Sequence, residues 1–205
     1  MAKERKSIKS EIGIILMTLG LLFVTAAVGL FAYNRITDKK AGETAQMIIS
    51  TVIEAPKEET YTEDENGEKT VTVDGEKYIG VISIPSLSIS LPVQSGWSLA
   101  KLKYSPCLYS GSVWDGTAII CAHNYQSHFG SLKYASVGDK VYYTDVTGLT
   151  YTYKISSVEQ VDGFDVEGMK ANDGWDMTLF TCTYSGRQRV TVRLTRAEND
   201  ISATQ

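Results

Sequence analysis

Positive charge is in short supply in this sequence: 20 Lys and Arg stand against 24 Asp and Glu, a formal net charge of -4 over 205 residues. No run of Lys and Arg interleaved with aromatics occurs in the body. Nothing therefore supplies the field that holds a phosphate backbone, and nucleic acid is excluded as an expected partner. Cysteine is scarcer still. Cys107, Cys121 and Cys182 are too few and too widely spaced for a disulfide scaffold or a paired-cysteine zinc site, and an odd count leaves one thiol unpaired. Only two histidines occur, His123 and His128, so any thiol-imidazole pair must use one of them. Repeats, low-complexity tracts and glycine-rich phosphate loops are also lacking. At 43% apolar and 21% charged residues, the composition is that of one globular domain of ordinary size plus appendages.

What the sequence does have, first, is one long apolar run. Ile12 to Asn34 carries no charge, and at 1.5 Å per residue it is long enough to cross a hydrocarbon core of about 30 Å. A cleaved signal peptide has a shorter apolar core ending in small residues. Thr25, Ala26 and Ala27 imitate such an end, but the run continues past them through Val28, Leu30 and Phe31. The expectation is a membrane anchor. Lys3, Arg5, Lys6 and Lys9 precede it, while Arg35, Lys39 and Lys40 follow, which favours an inside N-terminus and an extracellular body.

After the anchor, Ala45, Ile48, Ile49, Val52 and Ile53 recur at helical spacing up to Pro56, predicting a short amphipathic helix. From Lys57 to Lys77 the composition turns polar and acidic. Asn66-Gly67 and Asp74-Gly75 bracket an alternating stretch there, which reads as a tether with one hairpin. From Tyr78 onward, short β-branched runs alternate with Gly, Pro, Asp and Ser at the spacing of an all-β sandwich or barrel. The runs are 78–84, 89–93, 117–121, 140–144, 149–160, 177–182 and 189–194, so seven or eight strands are expected.

Several residues in this body can carry chemistry. Cys182 ends the apolar run Met177 to Cys182, where a thiol can face a groove; the bland alternative is a small buried hydrophobe. Reactivity requires a lowered pKa or a nearby base, because only the thiolate attacks. His123 follows the apolar strand Ala118 to Cys121 and also opens onto a loop, whereas His128 reads as an exposed or turn-capping imidazole. Arg187 and Arg189 flank Gln188 just before another alternating strand, on which positions 189, 191 and 193 share one face. Cys107 lies in a predicted loop and Cys121 on the histidine strand. Two free, partly buried thiols are expected there rather than a bridge enclosing the 13 intervening residues, on the ground that strand geometry holds their Cα atoms beyond the roughly 7 Å bridging limit.

Taken together, these stretches resemble the sortase family. Thr178-Leu179-Phe180-Thr181-Cys182 matches that family's TLxTC signature, and Arg189-Val190-Thr191-Val192 is similar to its arginine-led last strand. Ala122-His123, Tyr78 to Pro85, Leu91-Pro92-Val93 and Tyr109 to Ser112 are family-like too, with Cys107 a departure. The resemblance covers about Tyr78 to Leu194. It implies a sortase-like β-barrel of seven or eight strands with short helices, preceded by a transmembrane helix. The expected organisation is a cytoplasmic tail at 1–11, an anchor at 12–34, a juxtamembrane helix and linker at 35–77, a catalytic domain at 78–196 and a C-terminal tail at 197–205. It further implies a cysteine transpeptidase with Cys182 as nucleophile, His123 as proton carrier and Arg189, in preference to Arg187, as oxyanion or substrate clamp. Thr181 and Asn124 are expected to touch substrate.

Secreted proteins bearing an LPxTG-like sorting signal would be the donors. A peptidoglycan precursor or a pilin lysine would supply the acceptor amine. No metal or organic cofactor is required, although some members of the family use calcium. A cysteine hydrolase of the same architecture, or a catalytically silent tethered β-domain that binds wall components, are the competing readings.

Overall fold

A computed structural model describes residues 2–54, 61–65, 67–171 and 173–203. The chain divides into two compact units after Lys39. The first is the N-terminal part of helix α1 (Ala2–Glu54), which is long and apolar enough to cross a membrane. Leu16, Phe23 and Leu30 are exposed there, as expected of a helix that is apolar all round. The hydroxyls of Thr18 and Thr25 donate back to the carbonyls of Ile15 and Leu22, so these polar groups are satisfied within the helix itself.

The second unit begins with the rest of α1. Ala41, Ala45, Ile48 and Val52 are buried at helical spacing. Ala45 joins the main core, while Ile48 and Val52 pack with Val71, Tyr78 and Val81. Among the described residues ten strands follow: β1 (Thr62–Glu63), β2 (Lys69–Val73), β3 (Glu76–Ile84), β4 (Ile89–Gln94), β5 (Cys107–Ser110), β6 (Ala118–Ala122), β7 (Lys140–Asp145), β8 (Leu149–Asp162), β9 (Met177–Cys182) and β10 (Gln188–Ala203). A five-residue helix, α2 (Val166–Lys170), lies between β8 and β9.

Eight of the strands close into a barrel in the order β3-β4-β5-β6-β9-β10-β8-β7, with β7 pairing back onto β3; β1 and β2 hang from β3. The pairs β4–β5 and β6–β9 are parallel and the others antiparallel. Closure removes the exposed edges that an open sheet must otherwise protect. It also demands close approach at one point. A Cβ at Gly80 would stand 2.3 Å from the Thr144 carbonyl, so only glycine fits where β3 crosses β7.

The seven expected runs all fall on strands, with Thr117 alone just outside β6, and the structure adds three corrections. Cys107 is on β5 rather than in a loop, paired with Cys121 of β6; the strand has only four residues, too short a run to show periodicity. Residues 197–203 form no free tail: β10 continues through Ala203 against β8, resuming at Ile201 opposite Tyr151 after an irregularity. The stretch read as a tether contributes β1, β2 and the β2–β3 hairpin, whose Asp74 (φ 52°) and Gly75 (φ 84°) take the left-handed conformations of a tight two-residue turn. Residues 57–60 of that stretch and Asn66 of the expected Asn66-Gly67 turn lie outside the described residues.

Glu68 shows how firmly this segment is attached. Its side chain is 3% exposed, and Oε1 accepts hydrogen bonds from the Ser112 hydroxyl (2.8 Å) and the Val113 backbone N–H (2.6 Å). Burial nevertheless raises its pKa above the ordinary 4.5. The native state thus binds this proton more tightly than the unfolded chain does. The associated stability is complete below pH 4.5 and is lost as pH rises through the folded pKa. Replacing Glu68 by Ala strands two buried donors and is expected to cost about 1–3 kcal/mol in urea unfolding. Glu68→Gln retains an acceptor, so it should cost less than Ala and should flatten the dependence of stability on pH above 4.5. An alanine variant as stable as wild type would contradict this account.

Candidate active site

Three adjacent strands end or begin at one place. Parallel pairing of β6 with β9 sets Ala122 opposite Thr181, which carries the next residues, His123 and Cys182, to the same end of the barrel. Antiparallel pairing of β9 with β10 makes Cys182 and Arg189 direct cross-strand partners. Met177 and Leu179, with Val190, Val192 and Leu194, face the core. Alternation then turns Phe180, Cys182, Arg189 and Thr191 to the outer face. His123 follows β6 directly and lines the same groove as Cys121.

The outer face here is a groove of about 300 Å³ lined by His123, Cys182 and Arg189 together with the largely apolar side chains Trp97, Leu102, Tyr109, Val166, Met169 and Phe180. Trp97, Tyr109 and Phe180 stack in sequence, with ring centroids 5.3 and 5.4 Å apart, the second pair edge to face. Such a groove offers an extended peptide an apolar wall beside a thiol.

Arg189 is set by the turn that precedes it. The Thr183 N–H donates to the Gln188 carbonyl (2.9 Å) and the Gly186 N–H to the Thr183 carbonyl (2.9 Å), closing a tight β9–β10 connection. Arg189 Nη1 then donates to the Gly186 carbonyl at 2.9 Å and the Gln188 carbonyl at 3.2 Å. A Cβ on Gly163 would come 3.0 Å from this nitrogen and 2.8 Å from the Arg187 carbonyl, so the glycine leaves room for the guanidinium. Arg187 itself is exposed in the turn and is not among the groove's lining residues. The geometry therefore separates two arginines that adjacency in sequence left nearly equivalent.

His123 is partly buried, and burial, with a smaller contribution from the Lys103 ammonium, lowers its pKa below the ordinary 6.5. Its ring packs 4.8 Å from that of Tyr125, which in turn lies 5.4 Å from His128. His128 is fully buried rather than exposed, because its loop folds back so that the His128 N–H donates to the Tyr125 carbonyl and the Phe129 N–H to the His123 carbonyl. Tyr125, which does not line the groove, was not foreseen as the ring that packs on His123. It follows the histidine by two positions, a spacing with no signal of its own until the loop closes.

The Sortase domain family model matches residues 82–197. The chain belongs to the sortase family. Among solved structures, this sortase is similar to sortase C1 of Streptococcus agalactiae, at 30% identity over 63% of this chain and 72% of that one, with a TM-score of 0.56. It also resembles Clostridium perfringens sortase C with the C-terminal cell wall sorting motif, at 26% identity, 59% and 71% coverage and a TM-score of 0.52. Sortase A from Corynebacterium diphtheriae, 22% identical, shares the fold over 80% of this chain and 85% of its own, with a TM-score of 0.55. No curated protein matches the sequence.

Not every expected residue reaches the groove. Thr181 points inward, 3% exposed, and donates its hydroxyl to the Ala122 carbonyl at 2.8 Å. It ties the cysteine strand to the histidine strand rather than touching substrate, because residue 181 is out of phase with residue 182 on the pleat. Asn124 lies just beyond His123 and does not line the groove. Among the described residues no group of three or more His, Cys, Asp and Glu is placed to hold a metal ion.

Of the remaining thiols, Cys107 is fully buried, and Cys121, although its residue borders the groove, is only 4% exposed. Cys107 and Cys121 are direct cross-strand partners in the β5–β6 pair, so the expected separation beyond bridging range does not hold; antiparallel partners have Cα atoms about 4.5–5.5 Å apart. Both are nevertheless free and buried. Burial pushes the Cys107 thiol up to about 12 and raises Cys121 as well. Inertness of these two at neutral pH follows, since the thiolate is the reactive form.

Iodoacetamide on the folded, unreduced sortase is therefore expected to label Cys182 alone, with two further adducts only after denaturation. Mass mapping reads the outcome, and a linked Cys107–Cys121 peptide would oppose it. For the histidine, an NMR titration should give His123 a midpoint below 6.5. Lys103→Gln removes a nearby positive charge and should move that midpoint upward, though not past 6.5, because burial is the larger cause.

Proposed function

We propose that this sortase is a membrane-anchored cysteine transpeptidase that cleaves an LPxTG-like sorting signal and joins the donor protein to a cell-wall or pilin amine. The observation that carries the reading is the register of β6, β9 and β10, which sets a thiol, an imidazole and a guanidinium side by side along one apolar groove. The solved sortase with a cell wall sorting motif supports the substrate class. The apolar N-terminal helix is long enough to serve as the anchor, and the basic residues that precede it favour a barrel outside the cell.

In the proposed reaction the donor peptide lies extended along the groove. The Cys182 thiolate attacks the carbonyl carbon of the Thr-Gly bond, and Arg189 faces the oxygen on which negative charge develops. His123, as imidazolium, gives its proton to the departing amine as the C–N bond breaks, leaving a thioester on Cys182 and a neutral imidazole. The acceptor amine then attacks that thioester, its proton passes to His123, and the C–S bond breaks to free the thiolate. A lowered His123 pKa favours the neutral imidazole, which suits the second half of the cycle, where a base is needed. The apolar walls limit access of competing water to the thioester.

The test is turnover of an LPxTG-containing peptide by the detergent-solubilised full chain, with and without an added glycine peptide as amine acceptor, the products identified by mass. A joined product supports transpeptidation; cleavage to the free acid alone, with acceptor present, would make the enzyme a hydrolase. Cys182→Ala is expected to abolish both cleavage and the thioacyl adduct. His123→Ala should lower turnover about 10² to 10⁴-fold and Arg189→Ala about 10² to 10³-fold, while Arg187→Ala leaves it nearly unchanged. Substantial turnover by folded Cys182→Ala would sink the mechanism.

A further inference from the structure

Arg193 lies four residues beyond Arg189 on β10, on the same outward phase, yet its side chain is only 2% exposed. The connection between β8 and β9 covers it. Nη1 donates to the Met169 carbonyl and to the Thr178 hydroxyl, each at 2.9 Å, and Nη2 donates to the Gly168 carbonyl at 2.7 Å. Nε donates to Glu159 Oε1 at 2.8 Å, and the guanidinium carbon stands 4.5 Å from the centroid of the Trp175 ring. One side chain thus joins β8, β9, β10, α2 and the loop that follows it.

This concentration of contacts falls where local structure is weakest. With five residues, α2 is far too short to be stable by itself, and the final carbonyls of any helix lack intrahelical donors. Its first turn is capped by Asp165, which accepts from the Gly168 N–H at 2.8 Å. At the other end, the Arg193 fork supplies donors to two carbonyls and places positive charge at the negative end of the helix. A bulge helps to aim the fork: Arg193 pairs with Ser157 and Leu194 with Ile155, leaving Ser156 over, and its hydroxyl binds the Arg193 carbonyl at 2.9 Å. Asp165, Val166 and Met169 of this segment face the groove that holds Cys182.

We propose that Arg193 is a positioning residue that holds α2 against the barrel and so shapes the groove wall across from the nucleophile, setting the affinity for the donor peptide rather than the chemistry on it. The inference rests on the transpeptidase reading above. It predicts a split between kinetic constants. Loss of the fork loosens a wall that contacts the peptide in ground state and transition state alike, so KM rises while kcat holds.

The experiment compares wild type, Arg193→Met and Arg193→Lys as full chains in detergent, measuring peptide kinetics and amide hydrogen exchange in parallel. Arg193→Met keeps the bulk and loses every hydrogen bond; it should raise KM about tenfold or more, equivalent to about 1.4 kcal/mol of binding, with kcat within about threefold. Arg193→Lys restores the cation but not the fork, and its KM should fall between the two. Exchange should accelerate within residues 163–176 while β6 and β9 stay protected. A fall in kcat at unchanged KM, unchanged kinetics in both variants, or failure of both to fold would overturn the positioning role. A wild type that turns over no sorting-signal peptide would overturn the functional reading instead, and exchange in 163–176 would still decide whether Arg193 holds the wall.

Discussion

The backbone ladder through β9 is the constraint on which the remainder of this molecule depends. Cys182 has β6 on one side and β10 on the other, and the hydrogen-bond register on each side dictates which residue stands beside the thiol. Side chains alternate with a period of two, so a slip of one residue on either side would send the histidine or the arginine to the barrel interior. The register is held from within. Met177, Leu179, Val190, Val192 and Leu194 belong to one buried core, and the Thr181 hydroxyl locks β9 to the Ala122 carbonyl. Core packing and the geometry of the candidate site are therefore the same requirement seen from the two faces of one sheet.

On the outer face the groove is assembled from pieces with little stability of their own: the loop carrying Trp97, the five-residue helix α2 and the short strand β5. Buried charge anchors this periphery. Arg193 gathers the carbonyls of α2, and Glu68 binds the β1–β2 segment to the loop at Ser112 and Val113. Charged groups are costly to bury and persist only when their hydrogen-bonding capacity is largely met. Both have several partners here, and the penalty for removing any of them gives the peripheral elements definite positions.

Burial separates the three cysteines. Cys107 and Cys121 are buried against Tyr109 and Phe180, where desolvation keeps the thiol form, whereas Cys182 is only partly buried, at the strand end beside Arg189. Desolvation acts on His123 too, in the direction of the neutral imidazole, and the Lys103 charge reinforces it. An apolar groove thus protects two thiols and leaves one accessible.

Much of this was legible in the linear sequence. Seven strands announced themselves by β-branched alternation, the apolar helix by its length without charge, and Cys182, His123 and Arg189 by their places at strand ends, because each of these signals lies within a few consecutive residues. β5 escaped notice, being only four residues long, and so did the extension of β10 past Arg196. The depth of His128, the inward aim of Thr181, the face-to-face placement of Cys107 and Cys121 and the grip of Arg193 on α2 were likewise invisible. Each depends on pairing between segments far apart in the chain, and in sequence Arg193 is simply one more charge on an alternating strand. Local periodicity determined which segments become strands and which residues stand at their ends; only barrel closure decided which ends meet, since register and the burial of polar side chains are set by contacts that no single segment contains.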